Sequence, residues 1–222
     1  MSFIDSLTEK PWLPTDPGDA PIVARAESRY RQSRTALKFF LAVVTVIFSL
    51  FIITFLERSQ FPDFQALSGQ AWQPLTNALP LWINTGVLLL SCIALEFALR
   101  AAQTQNFKGI IFTLTIAVIL AVQFIFAQLQ VWKLLNDLGY YIASNPANSY
   151  FYLFTAMHGL HVLGGLVALT RLSTGVIRLS ENQEKSAWES VQKRLSLCAT
   201  YWHYLFVLWL LLFALLTSSA DT

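Results

Sequence analysis

The sequence predicts an all-α, polytopic integral membrane protein, built as a bundle of five transmembrane helices. Three observations support this fold class. Charged residues make up only 13% of the 222 residues, whereas a soluble domain has about 25%. Hydrophobic residues make up 55% of the chain, and the mean hydropathy is +0.51. Five uncharged runs each reach about the 17–25 residues with which a helix spans the hydrocarbon, and a helix satisfies its own backbone there.

Residues 1–35 are polar and contain four prolines. This composition predicts a cytoplasmic N-terminal tail, extended or partly ordered, that has no core of its own. A basic stretch lies just ahead of the first apolar run and includes Arg34 and Lys38. Both side chains are expected either to contact anionic lipid headgroups or to act only as an orientation signal.

Residues 36–219 are expected to form the transmembrane domain. The second apolar run ends at Glu96 and Arg100, which are one helical turn apart; we interpret them as a pair at the cytoplasmic end of that helix. The turn Ser144-Asn145-Pro146 precedes the fourth run. The predicted helices cover about residues 37–57, 79–100, 109–133, 149–171 and 195–217.

The basic residues predict the orientation of the chain. Thirteen of the fifteen Lys and Arg residues lie in the tail and in the second and fourth connections between helices. Connections rich in Lys and Arg stay in the cytoplasm. We therefore expect a cytoplasmic N-terminus and a periplasmic C-terminus.

The fourth helix contains His158 and His161 together with Gly164 and Gly165. Imidazoles are costly in lipid unless they have partners, and small residues let neighbouring helices approach closely. His158, His161 and Gly165 share one face of the helix, with Gly164 at its edge, so the histidines are predicted to be packed inside the bundle. The same interhelical role is predicted for Asn84 on the second helix, Gln128 on the third, and Tyr201, Trp202 and His203 on the fifth.

Aromatic residues recur at helical spacing along the fifth helix. The stripe consists of Trp202, Phe206, Trp209 and Phe213. A stripe of this kind either packs in the core or contacts the acyl chains of lipids. We keep lipid contact as a second interpretation for all four residues.

The motifs and the distribution of polar residues also bear on several other functions. The sequence has no Walker loop, GxGxxG or GxSxG motif, and Cys92 and Cys198 are interpreted as buried apolar residues. Few acids lie in the spans, which disfavours a transporter, and no nucleic-acid partner is expected. His161 and His203 are predicted at similar depths, so a membrane cytochrome b that binds haem through them remains an alternative.

The motifs of the last two helices resemble subunit III of the haem-copper oxidases in its five-helix bacterial form. The resemblance runs from about residue 36 to residue 217. It is carried mainly by residues 157–162 (MHGLHV) with Gly164, and by Tyr201-Trp202-His203 with Trp209. Residues 81–85 (LWINT), the tract around Gln128, and residues 149–151 (SYF) add support.

The resemblance implies a non-catalytic subunit that binds no cofactor itself. Such a subunit packs mainly on the catalytic subunit I, with subunit II in the same assembly, and haem and copper are expected in those partners. It holds phospholipids in a cleft and supports sustained proton-coupled oxygen reduction in aerobic respiration. We expect a cytochrome c oxidase, although quinol oxidases and nitric oxide reductases also carry subunits of this family.

Three positions depart from the family pattern. Thr45 and Phe206 stand where the family often has acids, and Val131-Trp132 follow the third-helix glutamine in place of another acid. Glu96 matches none of these positions. A structural and lipid-binding role is therefore expected, rather than a proton antenna made of buried carboxylates.

Overall fold

The computed structural model describes residues 22–61, 63–64, 79–177 and 185–218. All five helices of this part of the chain are long and apolar enough to cross a membrane. The predicted all-α, five-span fold is thereby confirmed, while the orientation of the termini stays a prediction. The helices are α1 Ile22–Arg58, α2 Leu79–Gln103, α3 Phe107–Asp137, α4 Pro146–Ile177 and α5 Lys185–Ser218.

Helix α1 begins well before the membrane span. Residues 22–35, predicted as part of an extended tail, are helical and continue directly into the apolar run. The helix runs without a break because no Gly or Pro interrupts the chain between Ile22 and Arg58. The rest of the predicted tail lies outside the described residues.

Specific caps end α3 and begin α4. At the end of α3, Gly139 has a φ of +87°, and the amide N–H of Tyr140 donates to the carbonyl of Leu135 at 2.9 Å. This is the Schellman arrangement, in which glycine adopts the left-handed conformation after the last helical turn. Pro146 opens α4 at the position where its missing N–H is not needed.

Helices α2 to α5 form a closed ring. Helix α2 packs on α3 and α5, and α4 also packs on α3 and α5, so that α3 lies diagonally across from α5. Helix α1 lies outside the ring against α5 and α4. Half of the α2 span and half of the α5 span are buried inside the protein, whereas only 17% of the α1 span is buried. The core therefore lies within the ring, and α1 is a peripheral addition to it.

Candidate functional site

Two indole groups join α5 to α2 by hydrogen bonds inside the ring. The Nε1–H of Trp202 donates to Ser91 Oγ at 3.0 Å, and the Nε1–H of Trp209 donates to Thr85 Oγ1 at 2.9 Å. Ser91 donates in turn to the carbonyl of Ala117 on α3 at 3.1 Å. We call Trp202, Trp209, Ser91 and Thr85 the tryptophan seam. Its donors are satisfied within the chain, which removes the cost of burying them.

The tryptophan seam places three residues of the aromatic stripe in the core and not in contact with lipid. Trp202 is 0% exposed, Trp209 1% and Phe213 6%, so these three side chains are core residues that do not reach lipid. Phe206 is partly buried and packs against the core. The indole groups turn inward because their N–H donors find hydroxyl acceptors on α2.

His158 lies at the centre of the bundle. Its side chain is 0% exposed, and its ring packs against the rings of Phe124 and Trp209. Its Nε2 lies 3.1 Å from the carbonyl oxygen of Leu205. Because a carbonyl accepts, Nε2 must carry the proton. His158 therefore joins α4 to α5 as a neutral hydrogen-bond donor.

The other two histidines bond to their own helices. His161 Nδ1 donates to the carbonyl of Met157 at 2.7 Å, and His203 Nδ1 donates to the carbonyl of Ala199 at 2.6 Å. A donated Nδ1–H leaves Nε2 as the acceptor in each neutral ring.

The outer edges of these two rings face different helices. His161 packs against Phe40 and Phe48 of α1, whereas His203 Nε2 lies 3.5 Å from the Glu96 carboxylate of α2. The structure does not bring His161 and His203 together as a pair of ligands. It therefore does not support haem binding between them.

The two glycines of α4 have different surroundings. A Cβ on Gly165 would lie 2.7 Å from Trp202 Cζ3 and 2.8 Å from Tyr201 Cε1, whereas a Cβ on Gly164 would have no atom within 4 Å. The Tyr201 hydroxyl also donates to the carbonyl of His161 at 2.9 Å. Gly165 therefore allows α5 to approach α4, and Gly164 does not take part in that contact.

Asn84 and Gln128 meet between α2 and α3. Asn84 Nδ2 donates to Gln128 Oε1 at 3.0 Å, and the two side chains are 0% and 5% exposed. The structure thus brings together two residues for which the sequence predicted an interhelical role, although their residue types alone did not identify the partner of either one.

An open cleft of about 580 Å³ lies between α1, α4 and α5. Gly164 forms part of its wall, and the exposed Arg171 and Arg194 lie at one end. Arg34 and Lys38 are exposed on α1 beside it but do not line it. The family resemblance implied a cleft but not its place, for which Gly164 and Ala168, one turn apart, were a signal. The remaining lining residues are Ser33, Leu37, Phe40, Ala168, Leu172, Leu197, Cys198 and Tyr201.

A second polar group faces outward on the other side of α1. Because the Thr45 hydroxyl donates to the carbonyl of Leu41, the Tyr204 hydroxyl donates to Thr45 Oγ1 at 2.9 Å. Next to this pair, His203 faces Glu96. We call Thr45, Tyr204, His203 and Glu96 the polar belt.

The polar belt corrects the interpretation of Glu96. Sequence spacing paired this carboxylate with Arg100, but the Arg100 guanidinium lies over the ring of Phe97, 5.7 Å from its centre. The carboxylate instead meets His203 on α5. The sequence could not show this contact, because it joins two helices about a hundred residues apart in the chain.

Comparisons with known proteins agree with this architecture. Residues 29–218 match the family model for cytochrome c oxidase subunit III. A probable cytochrome c oxidase subunit 3 from Mycobacterium bovis is 28% identical over 157 residues, which cover 68% of this chain and 73% of that protein. The cytochrome c oxidase subunit 3 of Patiria pectinifera is 30% identical over 194 residues, which cover 81% and 67%.

Proposed function

We propose, since the chain belongs to the cytochrome c oxidase subunit III family, that it is the accessory subunit III of a haem-copper oxidase in a bacterial inner membrane. In this proposal it packs mainly on the catalytic subunit I, with subunit II in the same assembly. It takes no part in electron transfer itself. Its role is to keep the catalytic subunit active during repeated proton-coupled turnover, with cytochrome c as the electron donor.

One observation supports an accessory role above the others. Hydrogen bonds of the tryptophan seam and of His158 join helices of the ring to each other. Within the described residues, no group of three or more His, Cys, Asp or Glu side chains is placed to hold a metal ion. The interior therefore resembles a scaffold, and we place the oxygen chemistry in the partner subunit.

Contacts at the two ends of the helices are consistent with the proposed topology. On the proposed cytoplasmic side, Lys193 Nζ of α5 lies 2.7 Å from the Glu27 carboxylate of α1, which joins the helical extensions of both elements. On the proposed periplasmic side, Arg58 bonds the carboxylate of Asp63. That bond holds the pKa of Asp63 below its usual range.

The cleft between α1, α4 and α5 is the proposed phospholipid site. Its walls, which include Leu37 and Leu197, are apolar and suit an acyl chain, while Gly164 leaves room for it. Arg171 and Arg194 at one end suit an anionic headgroup. Arg34 and Lys38 lie beside the cleft, where they add positive charge at the proposed membrane surface.

Purification of the tagged chain from solubilised membranes tests the proposal. We expect a large haem-bearing subunit to co-purify, and the complex to show a Soret absorption band that the chain expressed alone does not show. A Soret band on the isolated chain would instead support the cytochrome b alternative. The identity of the large subunit then separates a cytochrome c oxidase from a quinol oxidase or a nitric oxide reductase.

A further inference from the structure

The polar belt lies on the outer surface of the bundle, where α5 runs between α1 and α2. The side chains of Glu96 and His203 are 48% and 41% exposed. Thr200 and Val207, one turn before and one turn after His203, are exposed on the same side of α5. We call this side of the molecule, with the polar belt and Val207, the belt face.

The belt lies within the apolar part of the helices. Thr45 follows Lys38 by seven residues, which is about 10 Å along α1, and His203 follows Arg194 by nine residues, about 13 Å along α5. Glu96 contacts His203 at this level and precedes Arg100 by four residues, about 6 Å along α2. Ionisable side chains within the apolar part of a helix are rare, costly and usually paired with other polar groups. An exposed carboxylate at this position therefore calls for a partner.

The contact between Glu96 and His203 satisfies only part of their hydrogen-bonding capacity. His203 donates its Nδ1–H to Ala199, so only its Nε2 faces the carboxylate, and Nε2 lies 3.5 Å from one carboxylate oxygen, Oε1. Within the described part of the chain, no donor reaches the other oxygen. The Arg100 guanidinium lies over the ring of Phe97 instead.

We infer that the belt face docks on a transmembrane helix of the oxidase's large haem-bearing subunit, and that this helix presents a hydrogen-bond donor to Glu96. The inference rests on the proposed function. The argument is one of complementarity, because the face presents acceptor oxygens in a region where lipid chains offer no donors. A second copy of the chain would add another carboxylate to a face that already has one.

Photo-crosslinking in the intact complex tests which face meets the large subunit. A benzophenone side chain is placed at Val207, which is 62% exposed on the belt face, or at Ile119, which is 60% exposed on α3 across the ring. We expect Val207 to crosslink to the large subunit and Ile119 only to lipid. Capture of lipid alone or of a second copy from Val207, or of the large subunit from Ile119, would overturn the inference.

Two substitutions test the role of Glu96 itself. Glu96→Leu removes both acceptor oxygens, whereas Glu96→Gln keeps one. We expect roughly tenfold less large subunit to co-purify with Glu96→Leu, the effect of losing one hydrogen bond to a charged group, and nearly normal recovery with Glu96→Gln. Unchanged recovery with Glu96→Leu would contradict the role of the carboxylate. If Glu96→Leu does not fold in detergent, the crosslinking decides.

These experiments separate failure of this inference from failure of the proposed function. If the unmodified chain recovers no haem-bearing subunit, the proposed function is wrong. If it recovers one, but the crosslinks come from α3, only the assignment of the docking face is wrong.

Discussion

The tryptophan seam and the polar belt both place hydrogen-bonding side chains on α5 opposite residues of α2, but they differ in how far the chain satisfies them. In the seam, the buried indole groups of Trp202 and Trp209 donate to Ser91 and Thr85. In the belt, Glu96 and its partner on α5 are about half exposed, and within the described residues one carboxylate oxygen has no donor. The seam is complete within this chain, whereas the belt is where we infer a contact with another molecule.

This difference indicates which changes affect the fold and which affect assembly. In a membrane, apolar burial between helices gives little driving force, so close packing and internal hydrogen bonds hold a bundle together. Substitutions in and around the seam should therefore lower the stability of the isolated chain. Substitutions at outward-facing groups should leave it folded and change what binds to it.

The largest effect is expected at Gly165. In Gly165→Ala the new Cβ would lie within 3 Å of two ring atoms, one of them on the fully buried Trp202. We expect a loss of about 3 kcal/mol in the free energy of unfolding, the upper end for an overpacked core. Gly164→Ala is the matched control and should unfold like the parent chain in detergent titrations. Equal stability of the two variants would contradict the close approach of α4 and α5 at Gly165.

A smaller effect is expected at His158. His158→Leu removes the hydrogen bond to the carbonyl of Leu205 in the buried centre, which should cost about 1–2 kcal/mol. His161→Leu should cost less, since that ring is only partly buried and bonds within its own helix. Unfolding of the two variants side by side checks the order, and a larger loss for His161→Leu would contradict it.

The seam hydrogen bonds themselves should each contribute less. Trp209→Phe removes the donor to Thr85 and also removes buried ring atoms, so its total loss includes a cavity as well as the hydrogen bond. The bond itself should contribute about 0.6 kcal/mol, the average for such bonds in membranes. The control is Trp82→Phe, because Trp82 is 60% exposed. Combining Trp209→Phe with Thr85→Val in a double-mutant cycle measures the pair directly. A coupling energy of zero would show that the seam does not stabilise the fold.

Substitutions at the charged end of the cleft should leave stability unchanged and clearly reduce the amount of bound lipid. Arg171→Gln combined with Arg194→Gln removes the positive charge at one end of the cleft. We expect less anionic phospholipid to co-purify, as measured by mass spectrometry, with unchanged unfolding. Arg34→Gln, outside the cleft, is the control. Equal lipid content in the double variant would contradict the proposed headgroup site.

The sequence predicted the five spans because long uncharged runs have few alternatives to membrane helices. It predicted the inward face where polar residues such as His158 and Asn84 mark it, but not where a face is wholly apolar, since the core and the lipid are both apolar. For that reason lipid contact remained a second interpretation, beside core packing, for the stripe containing Trp202 and Trp209. The sequence likewise paired Glu96 with Arg100, one helical turn away, whereas its partner His203 lies on another helix. Polar contacts between helices decide both cases, and these depend on the packing of the whole ring.

The central claim is that this chain supports oxygen chemistry performed by a partner. Oxygen consumption of the purified oxidase, measured before and after selective removal of this chain, tests the claim most directly. We predict that the depleted enzyme keeps its haem spectrum and begins turnover at a nearly normal rate, then inactivates faster than the intact enzyme. Immediate loss of haem or of initial turnover on removal of the chain would contradict the claim.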